Sequence, residues 1–327
     1  MRNMSEHLAK CTICGALLDE EDLFCPNCGT ESAQHAGAAQ PLPTHTLTHN
    51  FLCQGCGASM SYDASAQTLR CPFCGSEQLQ QQRDAKLLSA ERVVPFAVDR
   101  AAAEGLLRRW LGRGFWRPGD LAAASVLTKV TAVFVPYWVF EARTFTYWTA
   151  DSSATPSGAR GEWVPVFGEH RGNYAGLLIG ASGALTPAET ESLCPFDLAA
   201  AQPYAAVDTD NVIVEQFRVQ RKYARPLAHQ GLERLERAAC QPSVPGRCRN
   251  LKVNVRLEGL SSSTVLLPVW IMAYRYREQV YRFLVNGQTG RATGQAPVSW
   301  KKVAAAIAVV ALLAFMLCLI FLGLAAA

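Results

Sequence analysis

"VPYWVFEAR", Val135 to Arg143, lies inside the longer run "VTAVFVPYWVFEARTFTYW", Val130 to Trp148, whose Val, Phe, Tyr, Thr and Trp suit a pleated, half-buried surface. The run therefore predicts a strand. It has a near copy 132 residues later in "LPVWIMAYR", Leu267 to Arg275, where Pro136 matches Pro268, Trp138 matches Trp270 and Arg143 matches Arg275. The match predicts an α+β body built by internal duplication, its two halves sharing one antiparallel sheet. Chance similarity of two apolar strands is the competing reading. Proline inside each strand donates no ladder hydrogen bond and predicts a sheet edge or a bulge there.

Working outward, "VVPFAV" predicts a short strand over Val93 to Val98, and Asp99 then reads as the N-cap of a helix. Ala102, Leu106, Leu107 and Trp110 follow at helical spacing, and Gly112 and Gly114 end the pattern. "RPGDL" restarts a short helix through Asp120. Ser152 to Gly161 reads as a turn, and "EWVPVFGEHRGNYAGLLIGA" as further strand. The stretch from Arg221 to Cys240 reads as helical in its later part, with Leu232, Leu235 and Ala239 on the apolar side. "LKVNVRLEG" alternates strictly and predicts a strand with one face buried. Two further strands, "TVLLPVWIMAYRYR" and "VYRFLVN", follow, and Asn286-Gly287 signals a tight turn.

Eight of the twelve cysteines stand before residue 75 in four Cys-x-x-Cys pairs. Cys11, Cys14, Cys25 and Cys28 make one quartet, and Cys53, Cys56, Cys71 and Cys74 a second. Four thiolates arranged tetrahedrally at about 2.3 Å satisfy a zinc ion completely, and each Cys-x-x-Cys turn presents two sulfurs to one ion. Glycine follows every pair, at Gly15, Gly29, Gly57 and Gly75, where the backbone must turn its amides toward sulfur. The spacing predicts two zinc ribbons, with rubredoxin-like iron as the chemical competitor. A closed four-sulfur site leaves no coordination position for substrate, so these metals are expected to be structural. No apolar leader precedes the cysteines, and a reducing compartment is expected.

The opposite end, Val303 to Ala327, has 25 residues without a charge, thirteen of them Val, Ile, Leu or Phe. As a helix it would run roughly 37 Å against a hydrocarbon core of about 30 Å. Trp300, Lys301 and Lys302 precede it, an aromatic anchor and two cations that favour the cytoplasmic side. The expectation is a tail-anchored, single-pass inner-membrane protein with its body and ribbons in the cytoplasm and the lipid bilayer as a partner. The organisation follows: residues 1–30 a zinc ribbon, 31–50 a flexible linker, 51–82 a second ribbon, 83–298 the α+β body and 299–327 the anchor.

A net charge of +4, from 31 basic and 27 acidic residues, gives no nucleic-acid signature. The first ribbon's loop carries Asp19, Glu20, Glu21 and Asp22 in a row, which repels phosphate. Protein contact is favoured over nucleic-acid contact. Enzymatic activity is not expected: no glycine is followed by lysine, which excludes a Walker phosphate loop, and neither His-Glu-x-x-His nor Gly-x-Ser-x-Gly occurs. His170, His229, Asp208 and Asp210 read as solvated surface.

The block "LLPVWIMAYRYREQVYRFLVNGQTGRATGQAPVSWKK", Leu266 to Lys302, resembles the closing block of bacterial membrane proteins with amino-terminal TFIIB-type zinc ribbons. "VVPFAVD", "GFWRPGDL" and "VFVPYWVFEA" resemble their middle blocks. Members are often labelled primosomal replication-restart helicase-like on their cysteines, a label that the missing phosphate loop does not support here. The resemblance implies zinc ligands at Cys53, Cys56, Cys71 and Cys74. It also implies partners among band-7 (SPFH) and TPM-domain proteins of envelope-stress systems. The expected function is an adaptor that recruits such proteins to the membrane; the alternative is a tethered nucleic-acid-binding accessory of replication or transcription.

Overall fold

Each nonapeptide forms the middle of a strand far longer than itself, Val126–Ser152 for the first and Cys248–Tyr276 for the second. The computed structural model describes residues 9–13, 17–18, 49–62, 70–82, 90–155, 158, 161–207 and 212–325, with side chains of the closing helix described as far as 316. The strands in chain order are β1 (Ala9–Lys10), β2 (Leu17–Leu18), β3 (His49–Cys53), β4 (Ser59–Tyr62), β5 (Leu79–Gln82), β6 (Arg92–Val93), β7 (Val126–Ser152), β8 (Val164–Gly180), β9 (Gln202–Pro203), β10 (Ile213–Glu215), β11 (Cys248–Tyr276), β12 (Gln279–Asn286) and β13 (Ala292–Gly294). The helices are α1 (Arg100–Leu111), α2 (Leu121–Ala124), α3 (Pro187–Leu193), α4 (Arg221–Cys240) and α5 (Trp300–Ala325). The chain is a mixed α+β protein with one large sheet, and it divides into two compact units. The first comprises residues 1–94, 134–191 and 198–267, and the second residues 95–133, 192–197 and 268–327.

In the first unit β5, β3, β4, β10 and β7 are successive neighbours, so the second cysteine ribbon continues the sheet. β8 runs antiparallel to β7 from Tyr137 opposite Gly180 to Ser152 opposite Val164, with a bulge between Phe140 and Ala142. β6 runs parallel to β11, an exception to the expected antiparallel sheet. Trp138, Phe140 and Ala181 pack with Ala224 and Ala228 of α4. That helix is helical throughout, and its buried face is Ala224, Ala228, Gly231, Leu232, Glu236 and Cys240. Of the expected apolar side at Leu232, Leu235 and Ala239, Leu232 is buried and Ala239 half-buried, and Leu235 is wrong because it is exposed. Small residues let α4 approach β8 closely: a Cβ on Gly231 would meet Leu177 at 3.2 Å. The inward stripe is thus written in Ala and Gly, which carry little hydrophobic signal.

In the second unit α1 lays Ala103, Leu107 and Leu111 on Met272, Tyr274, Phe283 and Val285 of β11 and β12. Asp99 caps α1 as expected, accepting from the Ala102 amide at 2.7 Å, and Gly112 is the C-cap. Of the expected strand over Val93 to Val98 only Val93 lies in β6, which begins one residue earlier at Arg92, because Pro95 has no N–H and the amides of Ala97 and Val98 both donate to Gly287 O, at 2.9 and 2.7 Å. The two strands expected from "LKVNVRLEG" and "TVLLPVWIMAYRYR" are one strand, β11, in which the alternation gives way to a buried run from Thr264. A two-residue turn at Arg277-Glu278 then opens β12, Arg277 taking a positive φ of 54°.

The same small structure occurs in both units. In the first, the Trp138 indole donates to Val219 O at 2.8 Å, Phe217 meets its ring edge-on, Ala181 O accepts from Arg218 and Val219, and Ala181 N donates to Pro136 O. In the second, the Trp270 indole donates to Val98 O at 2.8 Å, Phe96 meets its ring edge-on, Gly287 O accepts from Ala97 and Val98, and Gly287 N donates to Pro268 O. Phe217-x-Val219-x-Arg221 leads into α4 as Phe96-x-Val98-x-Arg100 leads into α1. In each unit the strand tryptophan thus locks the entry to a helix from the other half of the sequence.

α5 carries exposed apolar side chains at Ile307, Val309, Val310, Leu312, Leu313, Phe315 and Met316. Among the described residues no helix is long and apolar enough to cross a membrane. The described apolar side chains of α5, Val303 to Met316, span about 21 Å.

Candidate metal centre

β3 delivers Cys53 from the end of its ladder, and the chain turns at once through "CQGCG" to Cys56; "CPFCG" repeats the turn from Cys71 to Cys74 before β5. The two turns have the same hydrogen bonds. Cys53 N donates to Ala58 O and Gly57 N to Cys53 O, while Cys71 N donates to Ser76 O and Gly75 N to Cys71 O, all at 2.8 to 2.9 Å. Gly57 and Gly75 take φ of 76° and 77°, the left-handed region that glycine enters without strain.

The four sulfurs lie within 4.8 Å of one another. Cys53 Sγ is 3.5 Å from Cys74 Sγ, and Cys56 Sγ is 3.5 Å from Cys71 Sγ. A tetrahedron of sulfurs about 2.3 Å from zinc has edges of about 3.8 Å, so the arrangement fits zinc with little adjustment. Cys53 and Cys71 are buried beside Ala58, Met60 and Phe73, whereas Cys74 is exposed. The Cys56 thiol, donating to Cys71, holds the Cys71 sulfur down to about 5, helped by the amides of Cys74 and Phe73. The same hydrogen bond raises Cys56, and burial raises Cys74, so before any metal enters the negative charge gathers on the Cys71 sulfur alone among these three. The second quartet is brought together as expected. Of the first, Cys11 is buried just after β1, and Cys14, Cys25 and Cys28 lie outside the described residues.

A glutamate seals the junction of ribbon and sheet. Glu215, in β10 opposite Met60, is buried; its Oε1 accepts from Ser182 Oγ at 2.7 Å, Gly183 N at 2.9 Å and Ala184 N at 3.3 Å. Its Oε2 is buried without a hydrogen-bond partner among the described residues. Burial pushes the carboxyl up to about 7 against those three hydrogen bonds.

A second polar cluster escaped the sequence reading. Glu236 of α4, fully buried, takes hydrogen bonds from Thr144 Oγ1 and from His170 Nδ1, the latter at 2.8 Å, and Cys240 Sγ lies 4.0 Å away. Burial raises the Glu236 carboxyl, but hydrogen bonds from Thr144, His170 and Tyr174 outweigh it and hold the group low. Burial and the Glu236 charge push Cys240 up to about 11, so it keeps its proton at neutral pH. His170, Glu236 and Cys240 offer three donor atoms within 4.8 Å of one another, but the Glu236 carboxylate is already satisfied by Thr144 and His170, and the cluster reads as a hydrogen-bonded buried carboxylate. His170 is thus half-buried and engaged by Glu236 rather than freely solvated; His229 lies at the surface, pairing with Glu233 at 3.3 Å. Asp208 and Asp210 lie outside the described residues. The available signal was Glu236 four residues before Cys240 on one helical face.

No family model matches the chain, and no solved structure matches it. It is 24% identical over 317 residues to "Uncharacterized protein YdjG" of Bacillus subtilis (strain 168), an alignment covering 78% of this chain and 92% of the relative. It is 40% identical over 51 residues to "PGR5-like protein 1B, chloroplastic" of Arabidopsis thaliana, covering 16% of each chain.

Proposed function

We propose that this protein is a membrane-anchored zinc-ribbon adaptor, not an enzyme, which recruits other proteins to the cytoplasmic face of the inner membrane in envelope maintenance. The observation that carries the reading is the convergence of Cys53, Cys56, Cys71 and Cys74 on one point, with no fifth donor joining them among the described residues. Zinc held by four sulfurs has no position for a substrate or an activated water, so the ion stabilises the module and recognition falls to its surface. Structural zinc at Cys11, Cys14, Cys25 and Cys28 would make a second such surface. Its acidic loop, Asp19 to Asp22, suits a protein partner better than a nucleic acid. SPFH- and TPM-type proteins are the partners to look for.

Anchoring is supported by the exposed apolar side chains of α5 and by the uncharged run that continues to Ala327. Lys301 and Lys302 favour the amino-terminal side remaining in the cytoplasm. The repeated tryptophan lock favours descent of the body from one duplicated unit. The test is crosslinking of the full chain in native membranes, compared with a variant in which Cys53, Cys56, Cys71 and Cys74 are serine. Capture of SPFH- or TPM-type proteins by the parent chain and their loss in the variant is expected. Recovery of nucleic acid that the variant loses, or nucleotide turnover by the pure protein, would overturn the reading.

A further inference from the structure

In the second unit the loop between α1 and α2 exposes two aromatic rings beside the base of α5. Phe115 is 73% exposed and Trp116 48%, packed edge to face with centroids 5.0 Å apart, and Trp300 is 78% exposed. The loop is fastened to that base by two bonds: Lys302 Nζ donates to Phe115 O at 3.1 Å, and Ser299 N donates to Trp116 O at 2.7 Å. It is also held from within, because the Arg117 guanidinium lies 3.6 Å from the Trp110 ring centroid and Gly114 turns at φ 116°. A Cβ at Gly114 would meet Arg117 Nε at 2.9 Å. The rings are therefore presented to solvent by a braced loop.

Charge around them has one sign. Arg113 stands in the loop, and Lys301 and Lys302 open α5; no carboxylate occurs between Glu104 and Asp120, or anywhere after Glu278. Those two flanking acids are engaged, Glu104 by Arg100 at 2.9 Å and Asp120 by Tyr276 Oη at 2.8 Å. Rings with an apolar body, cations beside them and an adjoining apolar helix match the zone where acyl chains meet anionic headgroups. We propose that Phe115, Trp116 and Trp300, with Arg113, Lys301 and Lys302, form a collar that docks this unit on an anionic lipid surface. The collar rests on the reading of α5 as an anchor. It gives the loop a binding role separate from the zinc sites.

The test uses the full chain in vesicles of phosphatidylcholine alone and of phosphatidylcholine with about a quarter phosphatidylglycerol. Flotation after an alkaline wash reads the anchor, and amide hydrogen exchange over residues 112–118 reads the collar. Retained flotation is expected, with exchange at the loop slowed about tenfold or more in the anionic vesicles relative to neutral ones. The pair Phe115→Ser and Trp116→Ser should abolish that slowing while leaving flotation and the exchange of β11 and β12 unchanged; Arg113→Glu provides a second variant that spares the rings. Flotation without loop protection in either vesicle overturns the collar and leaves the anchor standing. Equal protection in both vesicles, or in detergent alone, overturns the anionic docking. A chain stripped off by the wash overturns anchor and collar together.

Discussion

Gly172 sits in β8 directly beneath Glu236, and a Cβ there would collide with Glu236 Oε1, the Tyr174 ring and Thr144 Oγ1. Gly172→Ala should therefore destabilise the chain by about 1 to 3 kcal/mol, read from urea unfolding, even though alanine suits a strand no worse than glycine. Glu215 gives the pH dependence. Its folded value is raised above the unfolded one, so the folded state binds the proton more tightly and stability falls as pH rises from about 4.5 to about 7. Comparing the parent chain with Glu215→Gln at each pH cancels zinc release, which both share. The parent should lose on the order of 3 kcal/mol relative to the variant across that window; parallel curves would show that the carboxyl is not strained by burial. The cysteine ligands were legible because their partners are three residues apart and their glycines mark the turn. Glu236 and His170 were not, because residues 66 positions apart are brought together only by α4 packing on β8.

At the scale of elements, β-propensity located both long strands and the capping signal at Asp99 located α1. The sequence reading broke β11 in two at "SSS", Ser261 to Ser263, because polar residues look like a loop when the ladder that satisfies them is unknown. It also misjudged the inward face of α4, where close packing selects small residues over large apolar ones. The nonapeptide match proved more informative than its nine residues, since it marked the two tryptophans that lock helix entries. Trp138→Phe and Trp270→Phe each remove one indole hydrogen bond and keep most of the ring. Each should cost about 1 kcal/mol in chemical unfolding, and leave a half-buried carbonyl, Val219 O or Val98 O, without that donor. Amide exchange should quicken at the start of α4 for the first variant and at the start of α1 for the second. The reverse pattern would contradict the assignment of the locks.

For the whole molecule, the proposed zinc would serve folding. Among its described residues the second ribbon buries little more than Phe51, Ala58, Met60, Pro72 and Phe73, a small core for holding β3, β4 and β5 together without a metal. Cys71→Ser should lower the zinc content by one ion per chain and expose the ribbon to protease, while β7, β8 and α4 stay protected in amide exchange. The mixed α+β class and the second cysteine cluster were readable from local pattern. The tryptophan locks and the buried Glu236 pair appear only when distant segments meet. The most direct measurement is zinc X-ray absorption on the full chain purified from membranes. Four sulfurs at about 2.3 Å and no lighter ligand are expected, as closed structural sites require. Nitrogen or oxygen in the first shell would mean an open coordination position, and would contradict a protein whose metal only builds a recruiting surface.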